Sequence, residues 1–243
     1  MATQSLTKPT FSIYYLSERA VTIDFGQQIA EHLLDAISDF NALLHQHPFA
    51  GFCTTVPAYA TLTVFFDPLA VIKSAMPGAG CFEKISGYLT NLNQQKKKSI
   101  KTIGTTVTIP VCYGGAFGPD LEELAHLHQL GITDVVKLHT SVIYTVYMIG
   151  FVPGFAYLGD MDERLATPRK AAPRPVIPAG SVGIAGQQTG VYPLQTPGGW
   201  QIIGQTPLKL FDATKLQPSL LKAGDKVVFK PINLKEFNQL ASG

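Results

Sequence analysis

Along the first third of the chain the hydrophobic positions switch between a period of two and a period near that of a helix. Phe11 to Leu16 and Val21 to Phe25 are strand-like runs on either side of the polar turn Ser17-Glu18-Arg19. After them Ile29, Leu33, Ile37, Phe40 and Leu44 form the stripe of an amphipathic helix, with His32, Asp35, Asp39 and Asn41 mostly off it. Gly51 to Val56 and Tyr59 to Phe66 are two further β-rich runs separated by a turn at Pro57. Asp67-Pro68 then marks a helix start with proline available for the first turn. A second long helix is predicted from Cys81 to about Asn93. Two strands, a helix, two strands and a helix make a compact α+β unit.

The periodicity lapses at Gln94-Gln95-Lys96-Lys97-Lys98-Ser99, a polar, cationic stretch that reads as a solvated connector, since lysines without interleaved aromatics carry little nucleic-acid signal. The expected organisation is a domain over residues 1–95, a linker over 96–101 and a second domain over 102–243. In that second domain Thr105 to Cys112 alternates as a strand. Gly118-Pro119-Asp120 opens a helix running toward Leu130, with Glu122 and Glu123 complementing its N-terminal dipole and Gly131 as its stop. Thr133 is the expected cap of a short helix ending at His139, Val142 to Ile149 is strand-like, and Asp225 to Pro231 is a final strand.

Between these last strands, residues 150–212 are dense in glycine and proline. Because proline fixes φ and glycine permits φ > 0, such density specifies individual loop conformations. Disorder is the competing reading of any Gly/Pro-rich run, but Phe151, Phe155, Tyr157, Tyr192, Trp200, Ile202 and Ile203 recur through it, an apolar content that disordered segments lack. Short ordered strands joined by tight turns are expected.

Three ordered motifs in this run carry a resemblance. They are Gly150-Phe151-x-Pro153-Gly154-Phe155-x-Tyr157-Leu158-Gly159, Pro178-Ala179-Gly180-Ser181-Val182-Gly183-Ile184-Ala185-Gly186-x-Gln188-Thr189-Gly190, and Pro197-Gly198-Gly199-Trp200 with Ile203-Gly204-x-Thr206-Pro207. They resemble the KipI family, and the resemblance covers about residues 10 to 232. That family includes the B subunit of a bacterial ATP-dependent 5-oxoprolinase and an inhibitor of a sporulation histidine kinase, and is similar to subdomains C and D of the carboxyltransferase region of urea carboxylase. The fold class it implies is α+β, a small α/β sandwich-like domain followed by a cyclophilin-like β-barrel.

The main activity implied is the opening of the lactam of 5-oxoproline to glutamate. ATP would be held by a partner subunit or at an interface, and the chain would be inactive alone, working with a larger sister subunit and a third, hydrolase-like subunit. The alternatives implied are a non-enzymatic inhibitor of a sensor histidine kinase and a carboxyltransferase or allophanate-type hydrolase subunit. Family patterns place Asp120, His139, Pro153, Gly154, Phe155, Arg169, Arg174, Ser181, Gln188, Gly198, Gly199 and Trp200 at matching positions. Two departures stand out: Ala116 where the family usually has Glu, and Gln205 where it usually has Arg.

Composition narrows the partners. The chain has 243 residues and a net charge of +2 from 19 Lys+Arg and 17 Asp+Glu, too small to imply nucleic acid or an anionic membrane. Charged residues make up only 15%, against ~25% in typical soluble domains, which points to a surface partly covered by a protein partner. Cys53, Cys81 and Cys112, with no C-x-x-C, fit reduced thiols, and neither a signal-peptide pattern nor a run of 18 apolar residues occurs, so a cytoplasmic location is expected.

Several chemistries are excluded by the letters. There is no G-x-x-x-x-G-K-[ST], and Gly180, Gly183 and Gly186 do not form G-x-G-x-x-G. Ala179-Gly180-Ser181-Val182-Gly183 resembles a nucleophile elbow, but the segment after Ser181 alternates like a strand and every histidine precedes it, so Ser181 is better read as a ligand-binding hydroxyl than an esterase nucleophile. His45-x-His47 and His126-x-His128 lack the further ligands a metal needs, and no metal site is expected.

Four candidate features remain. His139 either orients a substrate group or makes a structural hydrogen bond. Arg169 and Arg174, in a rigid and otherwise charge-poor loop, offer planar forks for a carboxylate or a phosphate, or else pair with Asp160, Asp162 or Glu163; Arg174, between prolines, is the favoured of the two. Gly198-Gly199-Trp200 is either an anion-binding nest with an aromatic wall or a tight hairpin with a core tryptophan. Tyr157 and Tyr192 can supply hydroxyls to the same pocket, and Gln187 an amide. The resulting site has His139, Arg169, Arg174 and Ser181 as catalytic candidates, with Asp120, Pro153, Gly154, Phe155, Tyr157, Gln188, Tyr192, Gly198, Gly199 and Trp200 around the substrate.

Overall fold

The computed structural model describes residues 11–27, 31–94 and 104–242. The chain divides into two compact units, Met1–Thr102 and Ile103–Gly243. The expected linker, residues 96–101, and Ile29 of the first helical stripe lie outside the described residues.

In the first unit β1 (Ser12–Ser17), β2 (Ala20–Asp24), β3 (Phe52–Pro57) and β4 (Thr61–Phe66) form an antiparallel sheet of order β1-β2-β4-β3. The alternation in β2 and β4 turns Val21, Ile23, Leu62, Val64 and Phe66 to one face. There they pack with Leu33, Ile37, Phe40 and Leu44 of α1 (Glu31–Gln46) and Ile85 and Leu89 of α3 (Cys81–Gln94). Between β4 and α3, the short α2 (Pro68–Lys73) starts where Asp67-Pro68 placed it. The Asp67 carboxylate accepts from Leu69 N–H at 2.9 Å, and proline occupies the position whose N–H has no partner.

The second unit is a closed seven-stranded barrel of order β10-β7-β6-β13-β5-β12-β9, which bears out the barrel expected from the resemblance. Its strands are β5 (Thr106–Tyr113), β6 (Tyr144–Ile149), β7 (Ala156–Gly159), β9 (Ser181–Ala185), β10 (Gln188–Val191), β12 (Gln201–Gln205) and β13 (Lys226–Pro231). β13 runs parallel to β5 over Lys226–Pro231 against Thr106–Val111, while the other pairings are antiparallel. Ile109, Val111, Tyr144, Val146, Leu158, Val182, Ile184 and Phe229 form the core, closed by Leu121 and Leu124 of α4 (Leu121–Leu127) and Val135 of α5 (Ile132–Thr140). β8 (Arg174–Ile177) and β11 (Thr196–Gly198) pair outside the barrel as a two-stranded ribbon, and α6 (Leu234–Ala241) ends the described chain. Cys53, Cys81 and Cys112 are free thiols.

Two boundaries differ from the sequence reading. α4 ends at Leu127 because Gln129 adopts φ 54° and Leu130 N–H reaches the Ala125 carbonyl at 2.9 Å. The left-handed residue that closes this helix is therefore Gln129 and not Gly131. Gly131 instead occupies the N-cap of α5, the position expected of Thr133.

His139 is wholly enclosed in this barrel unit, against Phe229 and Tyr144. Its tautomer follows from counting donors. Thr189 Oγ1 gives its one proton to the Gly183 carbonyl at 3.0 Å, so it accepts from His139 Nε2–H at 2.9 Å, and Nδ1 accepts from Tyr113 O–H at 2.8 Å. Burial pushes the imidazole pKa down from 6.5 to about 3, which keeps it neutral. The expectation that His139 faces a ligand is thereby corrected, since its ring has no exposed surface and both nitrogens have partners inside the fold.

A depressed imidazole pKa stabilises the fold fully above the unfolded-state value and loses that stabilisation as protons bind preferentially to the unfolded chain. Stability should therefore be insensitive to His139 above about pH 6.5 and decline toward pH 3 by up to ~1.4 kcal/mol per pH unit. Denaturant titrations of the wild type and His139→Gln from pH 7.5 to 4.5 check this: the variant starts lower and lacks the extra acid-dependent slope.

Candidate functional site

The segment from Thr167 to Arg174 is laid across the outside of the barrel and fixed along its length. Thr167 and Gly186 exchange backbone hydrogen bonds at 3.2 and 2.7 Å, Lys170 N–H donates to the Gly199 carbonyl at 2.7 Å, and the Gln201 side-chain amide donates to the Pro168 carbonyl at 3.0 Å. With Pro168 and Pro173 restricting φ, the segment is ordered before any ligand arrives.

Its anchor is Asp120. This carboxylate sits at the N-cap of α4 yet makes no capping bond, and its side chain is 2% exposed. Oδ2 accepts from Arg174 Nη1 at 2.8 Å and from Ile202 N–H at 2.7 Å, while Oδ1 accepts from Arg174 Nη2 at 2.6 Å and from Lys170 Nζ at 2.9 Å. Burial alone raises a carboxyl pKa, but the donors from Arg174, Lys170 and Ile202 outweigh it and hold Asp120 below its ordinary value. The same contacts raise the pKa of both cations.

This geometry corrects two expectations. Asp120 has four donors on its four lone-pair sites, so no acceptor remains for a substrate. Arg174, the favoured ligand fork, spends both terminal nitrogens on Asp120. None of the acids expected as alternative partners holds it: Asp162 binds Arg164 at 2.6 Å, and Asp160 accepts from Tyr147 O–H at 3.1 Å.

The aromatic residues expected to wall a cradle fill it themselves. Trp200, 5% exposed, meets Phe155, Tyr157 and Tyr192 edge-on, with ring centroids at 5.4, 5.9 and 6.5 Å. Ile177, Ala185 and Ile202 complete this second core. The tight hairpin with a core tryptophan is therefore the observed arrangement. Tyr192 is buried, which pushes its hydroxyl up to about 12 even though its oxygen accepts the Trp200 backbone N–H. Gly198 has to be glycine here, because a Cβ would lie 2.5 Å from that hydroxyl oxygen. Pro153 and Gly154 shape the turn that returns the chain to Phe155, with Phe155 N–H on the Val152 carbonyl at 3.0 Å and Gly154 at φ 83°.

Ser181 lies at the buried start of β9, which continues as a strand to Ala185. The strand-to-helix turn that an elbow nucleophile needs is absent at this serine. Gln188 is half-buried on β10, and Gln187 is exposed beside it. Gln205, where the family usually has arginine, donates to the Ala179 carbonyl at 2.6 Å, and Ala116 lies exposed in the Gly114–Gly118 turn, whose Gly114 N–H binds the Ile203 carbonyl at 3.1 Å.

Arg169 behaves differently from its neighbours. It is exposed, makes no ion pair or side-chain hydrogen bond among the described residues, and lies close enough to Tyr157 and Tyr192 for its charge to lower both phenols against the effect of burial. It borders an open cleft of about 480 Å³ between α4 and residues 167–172. A narrower recess of about 260 Å³ shares Glu123, Leu127, Thr167 and Gln201 with that cleft. Lys170, Glu123 and Gln201 were not singled out from the sequence. Glu123 reads there as a helix-dipole residue, and its bond to Lys170 Nζ at 3.1 Å spans 47 positions that no local pattern connects. Among the described residues no group of three or more His, Cys, Asp or Glu could hold a metal ion. No helix there is long and apolar enough to cross a membrane.

Comparison with known proteins gives these features a family. The carboxyltransferase domain, subdomain C and D, matches residues 11–221. The B subunit of Bacillus subtilis 5-oxoprolinase is 46% identical over 229 residues, which are 94% of this chain and 95% of that one. Its Haemophilus influenzae namesake is 56% identical over 126 residues, 52% of this chain and 59% of that protein. Among solved structures, TTHA0988 superposes with a TM-score of 0.75 at 33% identity over 88% of this chain, which spans only 40% of that longer polypeptide. The urea carboxylase of Kluyveromyces lactis shares the fold, with a TM-score of 0.75 at 17% identity, over 96% of this chain and 23% of that one. This chain therefore belongs to the carboxyltransferase-domain family of subdomains C and D, alongside the bacterial 5-oxoprolinase B subunits.

Proposed function

We propose that this chain is the B subunit of an ATP-dependent 5-oxoprolinase, a cytoplasmic hydrolase complex that opens 5-oxoproline to glutamate together with a larger sister subunit and a third, hydrolase-like subunit. The observation that carries the reading is the 46% identity to the Bacillus subtilis protein along nearly the whole of both chains. The low share of charged residues, 15%, suits a surface covered in part by companion subunits.

Ring opening adds water across the lactam C–N bond, giving a second carboxylate and an amine that is protonated to an ammonium and stays attached in the glutamate product. Amide resonance makes that bond unreactive, and ATP supplies the driving force by activating the carbonyl oxygen. The Thr167–Arg174 segment does not match a triphosphate: of its three cations, Lys170 and Arg174 are committed to Asp120 and only Arg169 is without a partner among the described residues. In this reading ATP is held by a companion subunit or at an interface. The part of this chain is to bind and orient, through a segment that Asp120 holds rigid.

Two outcomes test this reading. Co-expressed with both companions, the chain should support ATP-dependent release of glutamate from 5-oxoproline, while the chain alone should release none; an intact three-part complex without turnover refutes the proposal. Arg174→Ala should lower stability by ~1–3 kcal/mol, because it leaves the buried Asp120 carboxylate with only Lys170 and the Ile202 N–H, and Asp120→Ala by a similar amount, because it strips Arg174, Lys170 and the Ile202 N–H of their common acceptor. The double variant should lose much less than the sum of the two, which a denaturant-unfolding double-mutant cycle measures directly.

A further inference from the structure

We infer that the cleft between α4 and residues 167–172 is a binding site for a small monocarboxylate whose remaining body is uncharged and carries an N–H group, with Arg169 receiving the carboxylate. This rests on the subunit reading above, since a lactam acid such as 5-oxoproline fits that description.

Charge sets the first condition. Around the cleft stand Arg169, Lys170 and Arg174 against Asp120 and Glu123, a net charge of +1 that resides on Arg169, the one of the three cations without a carboxylate partner. One carboxylate completes this set, and a guanidinium can meet it with two parallel hydrogen bonds. A second anionic group would find no second free cation here. An ammonium group would have to compete with Lys170 for Glu123. Glutamate, with two carboxylates and an ammonium, is therefore a poorer guest than the lactam from which it forms, which favours departure of the product.

The walls set the second condition. Leu127 is 59% exposed and lines the cleft with Pro168, Ala171 and Ala172, a surface suited to the methylenes of a small ring. Gln201 adds a neutral polar complement. Its NH₂ is held by the Pro168 carbonyl, and its amide oxygen, without a hydrogen-bond partner among the described residues, can accept from a ligand N–H. Because Thr167, Pro168 and Lys170 are already tied to Gly186, Gln201, Gly199 and Asp120, little ordering accompanies binding.

The test is titration of the isotope-labelled full chain with 5-oxoproline, 2-pyrrolidinone, which lacks the carboxylate, and glutamate, followed by NMR and calorimetry. Saturable binding of 5-oxoproline is expected, with signal shifts at residues 167–172 and the Gln201 side-chain amide and affinity at least tenfold above the other two compounds. Arg169→Ala should lose at least tenfold, while Arg164→Ala, at an exposed arginine paired with Asp162, should bind as the wild type does. Absence of saturable binding, equal binding of 2-pyrrolidinone, or unchanged binding by Arg169→Ala overturns the inference. A complex that makes glutamate with the same kcat/KM when it carries Arg169→Ala refutes the cleft and leaves the subunit reading standing. A complex that makes none, although the chain binds 5-oxoproline through Arg169, does the reverse.

Discussion

A buried carboxylate with every lone pair engaged organises the outer face of the barrel. Asp120 gives up the capping bond its position offers, worth ~1 kcal/mol, and draws a guanidinium, an ammonium and a strand N–H onto one side chain instead. Three separate pieces of chain, the start of α4, the Thr167–Arg174 segment and β12, are located by that one group. The arrangement is also exclusive. A buried charge lacking its partner is strongly destabilising, so states in which the loop drifts from α4 are suppressed along with any rearrangement of the Trp200 hairpin that Ile202 would follow.

What this anchor leaves free among its neighbours is one cation. Two of three neighbouring cations are neutralised structurally, and the third projects from a rigid support beside an open cleft. If a guest binds there as inferred above, preorganisation of that kind would let a single exposed arginine discriminate by charge count, because the support does not reorganise to provide a second contact. The aromatic core beneath contributes shape and stiffness without offering a cavity of its own.

The alternation of β2, β4, β5 and β13 and the Asp67-Pro68 helix start were legible in the sequence because each is a local pattern enforced by burial on one face. The end of α4 and the start of α5 were not, since Gln129 took the left-handed conformation that glycine more readily adopts. In the site, the loop carrying Arg169 and Arg174 was recognisable from its rigidity, but Arg174, the favoured fork, is the one taken by a carboxylate. Arg174 is separated from Asp120 by 54 positions, and nothing near either residue records that contact. The same limit applies to His139, whose partners Tyr113 and Thr189 lie 26 and 50 positions away. The aromatic run was read either as the wall of an anion nest or as a hairpin with a core tryptophan, and the hydrophobic effect decided for the second, closing the rings on one another as it does wherever apolar rings can meet.

The parallel pairing of β5 with β13 bears on how the molecule is made. Thr106–Val111 cannot acquire its neighbour until Lys226–Pro231 has been synthesised, so closure waits for almost the whole second unit. Until then two strand edges of the incomplete cylinder stay open to water and to other nascent chains, and a contact of such long sequence separation forms slowly. Efficient production in the cell thus depends on keeping the late intermediate solitary, and a truncation that reaches Lys226–Pro231 would leave those edges permanently unprotected.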